Sequence, residues 1–366
     1  MKNERIANWA LIFLFVAFIG VFALLFVFLP KEEVSELERR PLSGTPALSA
    51  DTLFSGTFGK NAETYLSDHF PARSTWVGLH AGGEWLTGRN GQSGIYLGKN
   101  QRLYPAPVAC DYSRLARNRA AVVDFTEKSG TKVTVLAVPS AGSLADAQMP
   151  ALHSPYRDEE ILSYMSEKWR VVVPNLSVEH FYRTDHHWTT AGAYQAYLAC
   201  ADTLGFTPLP ETSFEKERID GFYGTSYAKA GLWHIAPDAM ELWHSRTPLT
   251  VTIQDDAAPP QEYTSVFFRE ALSTMDMYTV FLDGNHGRVR LTNPQGEGKL
   301  LVVKDSFAQS LVPFLAEHYA QIDMIDLRHF RRTAVSDYAA QEGYTDVLLV
   351  YGIESIAASN DLLWLQ

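Results

Sequence analysis

Three polar residues in two distant segments have the side chains of a nucleophilic catalytic site. Ser306 follows an apolar run, and Asp185 and His187 lie two residues apart in a polar, aromatic segment. A serine hydroxyl needs an imidazole base, and that base needs a carboxylate that fixes its tautomer. The three residues can therefore form a triad. They also fit a serine that only caps its helix and a polar cluster that only packs a loop, and residue types alone do not separate the two interpretations.

The sequence around Ser306 suits a nucleophile. The apolar run Leu300 to Val303 predicts a buried strand, and apolar residues at helical spacing follow it up to Leu315. Open α/β sheets bind ligands at the carboxyl ends of their strands. Backbone N–H groups in the first turn of the helix would point at an oxygen bonded to Ser306 and would supply part of an oxyanion hole.

Alternating strand and helix patterns predict the rest of the fold. Further apolar runs at Val133–Val138, Ile322–Leu327 and Val347–Tyr351 are separated by helical patterns, which predicts a parallel sheet flanked by helices. A helix is predicted to start at Thr189 or Thr190, directly after the Asp185–Trp188 segment. Residues 206–298 are irregular, with short β-like runs that include Tyr278–Leu282, and we interpret them as an insertion bearing on the active face.

The composition changes most sharply near the start of the chain. Trp9 to Leu29 is a stretch of 21 residues without a charge. A helix of that length covers roughly 30 Å, the thickness of the hydrocarbon core of a bilayer. A cleaved signal peptide is the alternative, but the run is long for one and its exit lacks the small-x-small cleavage pattern. We therefore predict an uncleaved transmembrane helix.

The large domain is expected to face outward. Basic residues flank the span on both sides, so their count does not fix the orientation. No second apolar segment of that length follows, and a short N-terminal tail normally stays inside while a large domain is exported. The prediction is a single-pass cell-membrane protein with an anchor at 1–30, a stalk at 31–57 and an extracytoplasmic catalytic domain at 58–366 that contains the insertion.

Composition narrows the class of protein. The 366 residues include 31 Lys+Arg and 42 Asp+Glu, for a net charge of −11, and 46% are hydrophobic. This composition predicts a folded protein, and its negative balance argues against a nucleic-acid partner. Cys110 and Cys200 exclude a disulfide-rich scaffold and a four-cysteine zinc site, although they leave a single bridge open.

Four motifs in this order resemble the DHHW family of bacterial cell-envelope proteins. They are Asp68-His69-Phe70-Pro71-Ala72-Arg73, Gly94-Ile95-Tyr96-Leu97-Gly98-Lys99, Asp185-His186-His187-Trp188 and Lys304-Asp305-Ser306-Phe307. The resemblance covers most of residues 60–356. That family in turn is similar to the AlgX and AlgJ type of polysaccharide O-acetyltransferase, whose SGNH-hydrolase-like domain is circularly permuted.

The resemblance implies an SGNH-hydrolase-like α/β fold and O-acetyl transfer to a cell-envelope polysaccharide or exopolysaccharide. It implies Ser306 as the nucleophile that carries the acetyl group, His187 as base and Asp185 as orienting acid, with no cofactor. An acetylesterase would use the same site with water as acceptor. Because acetyl-CoA stays inside the cell, the resemblance also implies a membrane-bound O-acyltransferase as the partner that supplies acetyl groups.

One part of the SGNH pattern is missing. A Gly-x-Asn-Asp block is expected where this chain has Gly352-Ile353-Glu354-Ser355, so a side-chain amide for the oxyanion hole is lacking. We expect Arg328 to replace it, with Asn285 as the reserve. A surface salt bridge is the other interpretation of Arg328. His186 is expected to pack or to contact substrate, and Trp188 to pack beneath the loop.

Two other functional classes fit parts of the sequence. His180, Asp185, His186 and His187 could serve a metal-dependent hydrolase, but the chain has no Asp-x-Asp-Gly stretch and no His-x-x-x-His helix. We therefore predict that the site contains no metal. The second class is a catalytically inactive polysaccharide-binding envelope protein, in which the three polar residues are relics.

Overall fold

The computed structural model describes residues 2–91, 93–255, 259–330 and 333–365. The α-helices in these ranges are α1 (Lys2–Phe28), α2 (Ala50–Phe54), α3 (Thr57–Asp68), α4 (Arg73–Leu86), α5 (Tyr112–Ser129), α6 (Asp158–Ser166), α7 (Thr190–Leu204), α8 (Thr225–Ala230), α9 (Ala308–Leu315), α10 (Val335–Glu342) and α11 (Ile353–Ala358). The strands are β1 (Val34–Ser35), β2 (Arg40–Pro41), β3 (Ile95–Leu97), β4 (Leu103–Pro105), β5 (Val133–Val138), β6 (Arg170–Val172), β7 (Glu215–Phe222), β8 (Asp238–His244), β9 (Thr250–Gln254), β10 (Gln261–Tyr263), β11 (Arg288–Thr292), β12 (Lys299–Lys304), β13 (Gln321–Ile325) and β14 (Asp346–Gly352).

These elements form two compact units. The first contains Met1–Arg89 together with Gly231–His234, and the second contains Asn90–Ala230 and Ile235–Gln366. In the first unit, Arg5–Phe28 is a helix long and apolar enough to cross a membrane, with a mean hydropathy of 3.2. A signal sequence passes the same test of length and composition.

The predicted stalk is folded against α3 and α4 within the first unit. Arg40 pairs with the buried Asp68 at 2.5 Å, and Arg73 pairs with Glu38 at 2.9 Å. These ion pairs join segments that are distant in sequence, and residues 31–57 lie within the compact unit that extends to Arg89. The division differs from the predicted domain start at residue 58, because composition does not show such pairings.

The second unit is built on an eight-stranded sheet with the order β10-β9-β11-β13-β12-β14-β5-β6. The five strands from β13 to β6 are parallel; the apolar runs predict four of them, and β6 is the addition. Successive side chains of a strand point to opposite faces. In β12, Leu300 and Val302 join the apolar layer of α7 and α9, whereas Leu301 and Val303 join that of α5, α10 and α11. Burial on both faces explains the continuous apolar run.

The insertion extends this sheet instead of lying wholly outside it. β9, β10 and β11 come from residues 206–298. β9 pairs antiparallel with both β10 and β11, and β11 pairs antiparallel with β13. The sheet is therefore mixed. The prediction of a β-like run at Tyr278–Leu282 is wrong in part. Met277–Val280 is a 3₁₀ helix, and buried residues do not alternate with exposed ones along the run.

Two local predictions concern α7 and the cysteines. α7 begins at Thr190, and the Thr189 hydroxyl accepts a hydrogen bond from the N–H of Gly192 at 3.2 Å, which confirms the predicted cap. Cys110 and Cys200 are not bridged, and Cys200 is buried within α7.

Candidate active site

Ser306 lies in the turn between β12 and α9, at the carboxyl edge of the sheet. Asp305 holds this turn in place. One carboxylate oxygen of Asp305 accepts a hydrogen bond from the N–H of Phe307 at 3.0 Å, and the other accepts one from the N–H of Gly352 at 2.8 Å. The turn is thereby fixed to the end of the neighbouring strand β14, and Ser306 stays half-buried.

His187 is the hydrogen-bonding partner of Ser306. The two residues are 119 positions apart in the chain, yet His187 Nε2 lies 2.6 Å from Ser306 Oγ. The other ring nitrogen, Nδ1, lies 2.5 Å from Asp185 Oδ1, and the same oxygen accepts the backbone N–H of His187 at 2.9 Å. The predicted spacing of two residues therefore brings the carboxylate to the correct side of the imidazole.

Asp185 is almost enclosed, with 2% of its surface exposed. Its Oδ2 accepts the backbone N–H of Thr225 at 2.6 Å and the Thr225 hydroxyl at 3.0 Å. A Cβ on Gly224 would lie 2.1 Å from that of Asp185, so the close approach of this loop requires glycine. Burial raises the pKa of the Asp185 carboxyl, but the charges of His187 and His186 and the hydrogen bonds from His187 outweigh it and hold the pKa well below its usual range.

Tyr278, from the insertion, covers the His187 ring. The two rings are parallel to within 7°, and their centroids are 3.9 Å apart. The Tyr278 hydroxyl lies 3.1 Å from Ser310 Oγ, which also accepts the indole N–H of Trp188 at 2.9 Å. Trp188 is fully buried. Sequence reasoning missed both Tyr278 and Ser310; Ser310 lies on α9, whereas Ser306 precedes that helix.

The stacking suggests a test of Tyr278 as a positioning residue. We expect Tyr278→Ala to lower kcat about tenfold, because a stacked aromatic pair contributes about 0.5–1.5 kcal/mol and its loss frees the imidazole to rotate away from Ser306. Tyr278→Phe keeps the ring and is expected to stay near wild-type kcat. Steady-state hydrolysis of p-nitrophenyl acetate measures both. Equal losses in the two variants would contradict the stacking role.

Arg328 and Asn285 belong to a different polar cluster. The Arg328 guanidinium binds both oxygens of Asp326, at 2.8 and 2.6 Å. The buried Lys304 ammonium donates to Asn285 Oδ1 at 2.7 Å and pairs with Asp326 at 3.2 Å. The structure thus shows the salt-bridge alternative for Arg328. Within the part of the chain that the structure describes, the N–H of Ser306 has no acceptor, which leaves it as an oxyanion donor.

A cavity of about 370 Å³ in the second unit is lined by the chain neighbours of Ser306 and His187. Its wall includes Phe307, which follows Ser306 in the chain, and His186, which precedes His187. His186 Nδ1 lies 2.9 Å from the Thr225 hydroxyl, and its ring centroid is 3.8 Å from that of His187. His186 is therefore held against the site and faces the cavity, where it can contact a ligand.

Glu354 is the acidic residue of this cavity wall. Burial, reinforced by the Asp158 carboxylate, raises the pKa of Glu354 to about 7. In the unfolded chain the pKa of a glutamate is about 4.3, so between about pH 4.3 and 7 the folded state binds a proton that the unfolded state has lost. The stability of the folded protein therefore falls as the pH rises through this range.

We therefore expect the free energy of unfolding of Glu354→Gln to exceed that of the wild type by about 1–3 kcal/mol at pH 8. At pH 4 the two proteins should differ little. Urea denaturation across this range measures the effect. Parallel stability curves for the two proteins would contradict a raised pKa at Glu354.

Asp185, His186 and His187 also group as potential metal ligands, with donor atoms within 4.8 Å of one another. However, both ring nitrogens of His187 already have partners, Asp185 Oδ1 and Ser306 Oγ. A metal on His187 would have to displace one of them, so this donor set suits proton transfer better than coordination.

Comparison with known proteins supports the resemblance drawn from the motifs. The family model described as DHHW protein matches residues 153–325. A probable alginate O-acetylase AlgJ from Pseudomonas syringae pv. tomato is 29% identical over 175 residues, which cover 42% of this chain and 44% of that protein. The match therefore spans less than half the length of this relative. The predicted resemblance to DHHW and AlgJ-type proteins is confirmed.

Solved structures share the fold. A DHHW family protein from Eubacterium siraeum superposes with a TM-score of 0.64 at 24% identity, over 74% of this chain and 94% of that one. Bacillus cereus PatB1, solved with a sulfonyl adduct, gives a TM-score of 0.62 at 17% identity, over 73% of this chain and 97% of that one. The predicted α/β fold, with a parallel-rich sheet flanked by helices, is confirmed.

Proposed function

We propose that this chain is a membrane-anchored, extracytoplasmic O-acetyltransferase that acetylates a cell-envelope polysaccharide through an acetyl-Ser306 intermediate. The observation that carries the proposal is the hydrogen-bonded series of Asp185, His187 and Ser306, with contacts of 2.5 and 2.6 Å beside a cavity. Similarity to a relative named as a probable alginate O-acetylase supports acetyl transfer to a polysaccharide.

The first half-reaction loads the serine. His187 Nε2 accepts the Ser306 proton while Oγ attacks the carbonyl carbon of an acetyl ester, and the carbonyl oxygen becomes an oxyanion that the Ser306 N–H can stabilise. The bond to the donor alcohol then breaks, and that alcohol leaves with the proton from His187. The ionised Asp185 stabilises the imidazolium between these two events.

The second half-reaction transfers the acetyl group from Ser306 to the sugar. A sugar hydroxyl gives its proton to His187 and attacks the acetyl-serine, and Ser306 recovers the proton as the new sugar ester leaves. Water in place of the sugar would give acetic acid, which is acetylesterase activity at the same site. Transfer therefore requires that the sugar hydroxyl outcompete water at His187.

The topology constrains the acetyl donor. With α1 as the anchor and the second unit outside, cytoplasmic acetyl-CoA does not reach Ser306. A membrane-bound O-acyltransferase that passes acetyl groups across the bilayer would fill this role. The purified chain should therefore use a small activated acetyl ester and not acetyl-CoA.

The test uses the full chain in detergent with p-nitrophenyl acetate and deacetylated oligosaccharides. Mass spectrometry should find one acetyl group on the protein, mapped to the Ser306 peptide, and acetylated oligosaccharide that accumulates with time. A chelator should leave both signals unchanged. Acetylation from acetyl-CoA alone would overturn the donor assignment, and an oligosaccharide that binds without ever being acetylated would indicate an inactive binding protein.

A further inference from the structure

Helix α4 in the first unit has an apolar face that the protein leaves uncovered. None of its 14 residues is buried. Trp76, Leu79 and Leu86 follow one another at helical spacing and are 42%, 62% and 77% exposed. On α3, Leu66 is 52% exposed. A cluster of apolar side chains on a solvent-exposed protein surface indicates an interaction site.

This face is continuous with the candidate membrane span. The Phe22 ring stacks on Phe70, which joins α3 to α4, with centroids 5.2 Å apart and planes within 9°. Trp76 lies 5.9 Å from the same Phe22 ring, and Phe26 meets Tyr65 of α3 edge-on at 6.0 Å. The helix pair therefore contacts the span inside its apolar length and not beyond its end.

The position of these contacts gives a depth. Phe22 precedes Phe28, the last residue of α1, by six positions, which is about 9 Å along a helix axis. Amphipathic helices that lie in a membrane interface bury their apolar faces to about 5–10 Å. Tryptophan at this level is typical of the boundary between headgroups and acyl chains.

Ion pairs hold the helix pair at this level. Asp68 at the end of α3 pairs with Arg40 at 2.5 Å, and Arg73 at the start of α4 pairs with Glu38 at 2.9 Å. Lys31 donates a hydrogen bond to the Phe26 carbonyl, and its ammonium lies 3.7 Å from the Phe26 ring centroid. The charged groups thus gather where the span ends, as expected at a membrane surface.

We propose that α3 and α4 form an interfacial hairpin that inserts its apolar face into the same lipid leaflet that α1 leaves. This inference rests on the proposed membrane anchor. Lipid is the occupant that the structure favours, because the uncovered face continues directly from side chains of the span. The hairpin would hold the first unit flat on the membrane, and it adds a second attachment to that of a single helix.

The test is site-directed spin labelling of the full chain in phosphatidylcholine–phosphatidylglycerol vesicles, in a background with Cys110→Ser and Cys200→Ala. Labels are placed through Leu66→Cys and Leu79→Cys on the apolar face. Thr64→Cys is the matched control on the other side of α3, and Leu14→Cys reports the span. Collision rates with oxygen and with a water-soluble nickel chelate give the depth of each label. We expect oxygen-to-nickel ratios at Leu66 and Leu79 several-fold above that at Thr64.

The outcomes are distinguishable. Lipid-like ratios at Leu14, with Leu66 and Leu79 as accessible to nickel as Thr64, would overturn the hairpin and keep the anchor. A water-exposed Leu14 would overturn the anchor, while acetylation of Ser306 would still be tested by mass. Shielding of Leu66 and Leu79 from both reagents would overturn lipid as the occupant and indicate a protein partner.

Discussion

Ser306→Ala should abolish acetyl transfer, with kcat lowered at least about 10⁴-fold and no acetyl group retained on the protein. The substitution removes the atom that bonds to the acetyl carbon, and with it the hydroxyl that lies 2.6 Å from His187 Nε2. Loss of a serine nucleophile in comparable sites costs about 10⁴- to 10⁶-fold. Burst kinetics with p-nitrophenyl acetate and intact-mass analysis after the burst measure the two effects.

Ser273→Ala is the matched control for this experiment, because Ser273 is an exposed serine in the short helix Arg269–Ser273. It should keep both the burst and the adduct. An acetyl adduct that persists in Ser306→Ala would show that another residue is the nucleophile. Retained binding of oligosaccharide without transfer in Ser306→Ala is expected, since the cavity wall is unchanged.

Asp185→Asn should lower kcat about 10³- to 10⁴-fold without unfolding the protein. The amide is isosteric, but the two Thr225 donors on Oδ2 will select the amide oxygen for that side. The amide NH₂ then faces His187 Nδ1 and favours the tautomer that carries its proton on Nε2. That tautomer cannot accept the proton of Ser306, and the imidazolium also loses its countercharge.

Nitrogen NMR of the His187 ring identifies the tautomer directly. The kcat for hydrolysis of p-nitrophenyl acetate measures the loss of activity that follows from it. Asp337→Asn, at an exposed position of α10, is the control for a carboxylate change elsewhere. Thermal melts of both variants check folding. A folded Asp185→Asn protein within tenfold of wild-type kcat would contradict the assigned role of Asp185.

Arg328 shows what residue types leave open. Arg328 ends an apolar strand at the correct edge of the sheet, which made it the first candidate. Its neighbour two residues earlier, Asp326, is fully buried, and it pairs with the Arg328 guanidinium in a bidentate contact as well as with Lys304. The position of the Arg328 side chain depends on this buried carboxylate, and the sequence does not show which acidic residues are buried.

The domain boundary and Tyr278 show the same limit at longer range. Charge and proline content predict a stalk at residues 31–57, but ion pairs such as that of Arg40 with Asp68 fold this segment onto α3. Tyr278 looked like part of a β-like run, and its contact with His187 spans two segments of unrelated pattern. Contacts between distant segments depend on the three-dimensional path of the chain, which local sequence patterns do not predict.

The sequence by itself determined the parallel core of the sheet, the turn that holds Ser306, the cap of α7 and the adjacency of Asp185 and His187, because each of these follows from local spacing and burial. Only the tertiary structure decided that His187 and Ser306 meet, that Tyr278 covers the imidazole, and that three strands of the insertion join the sheet antiparallel. Those outcomes depend on which distant surfaces bury one another, and that is a property of the whole packed chain.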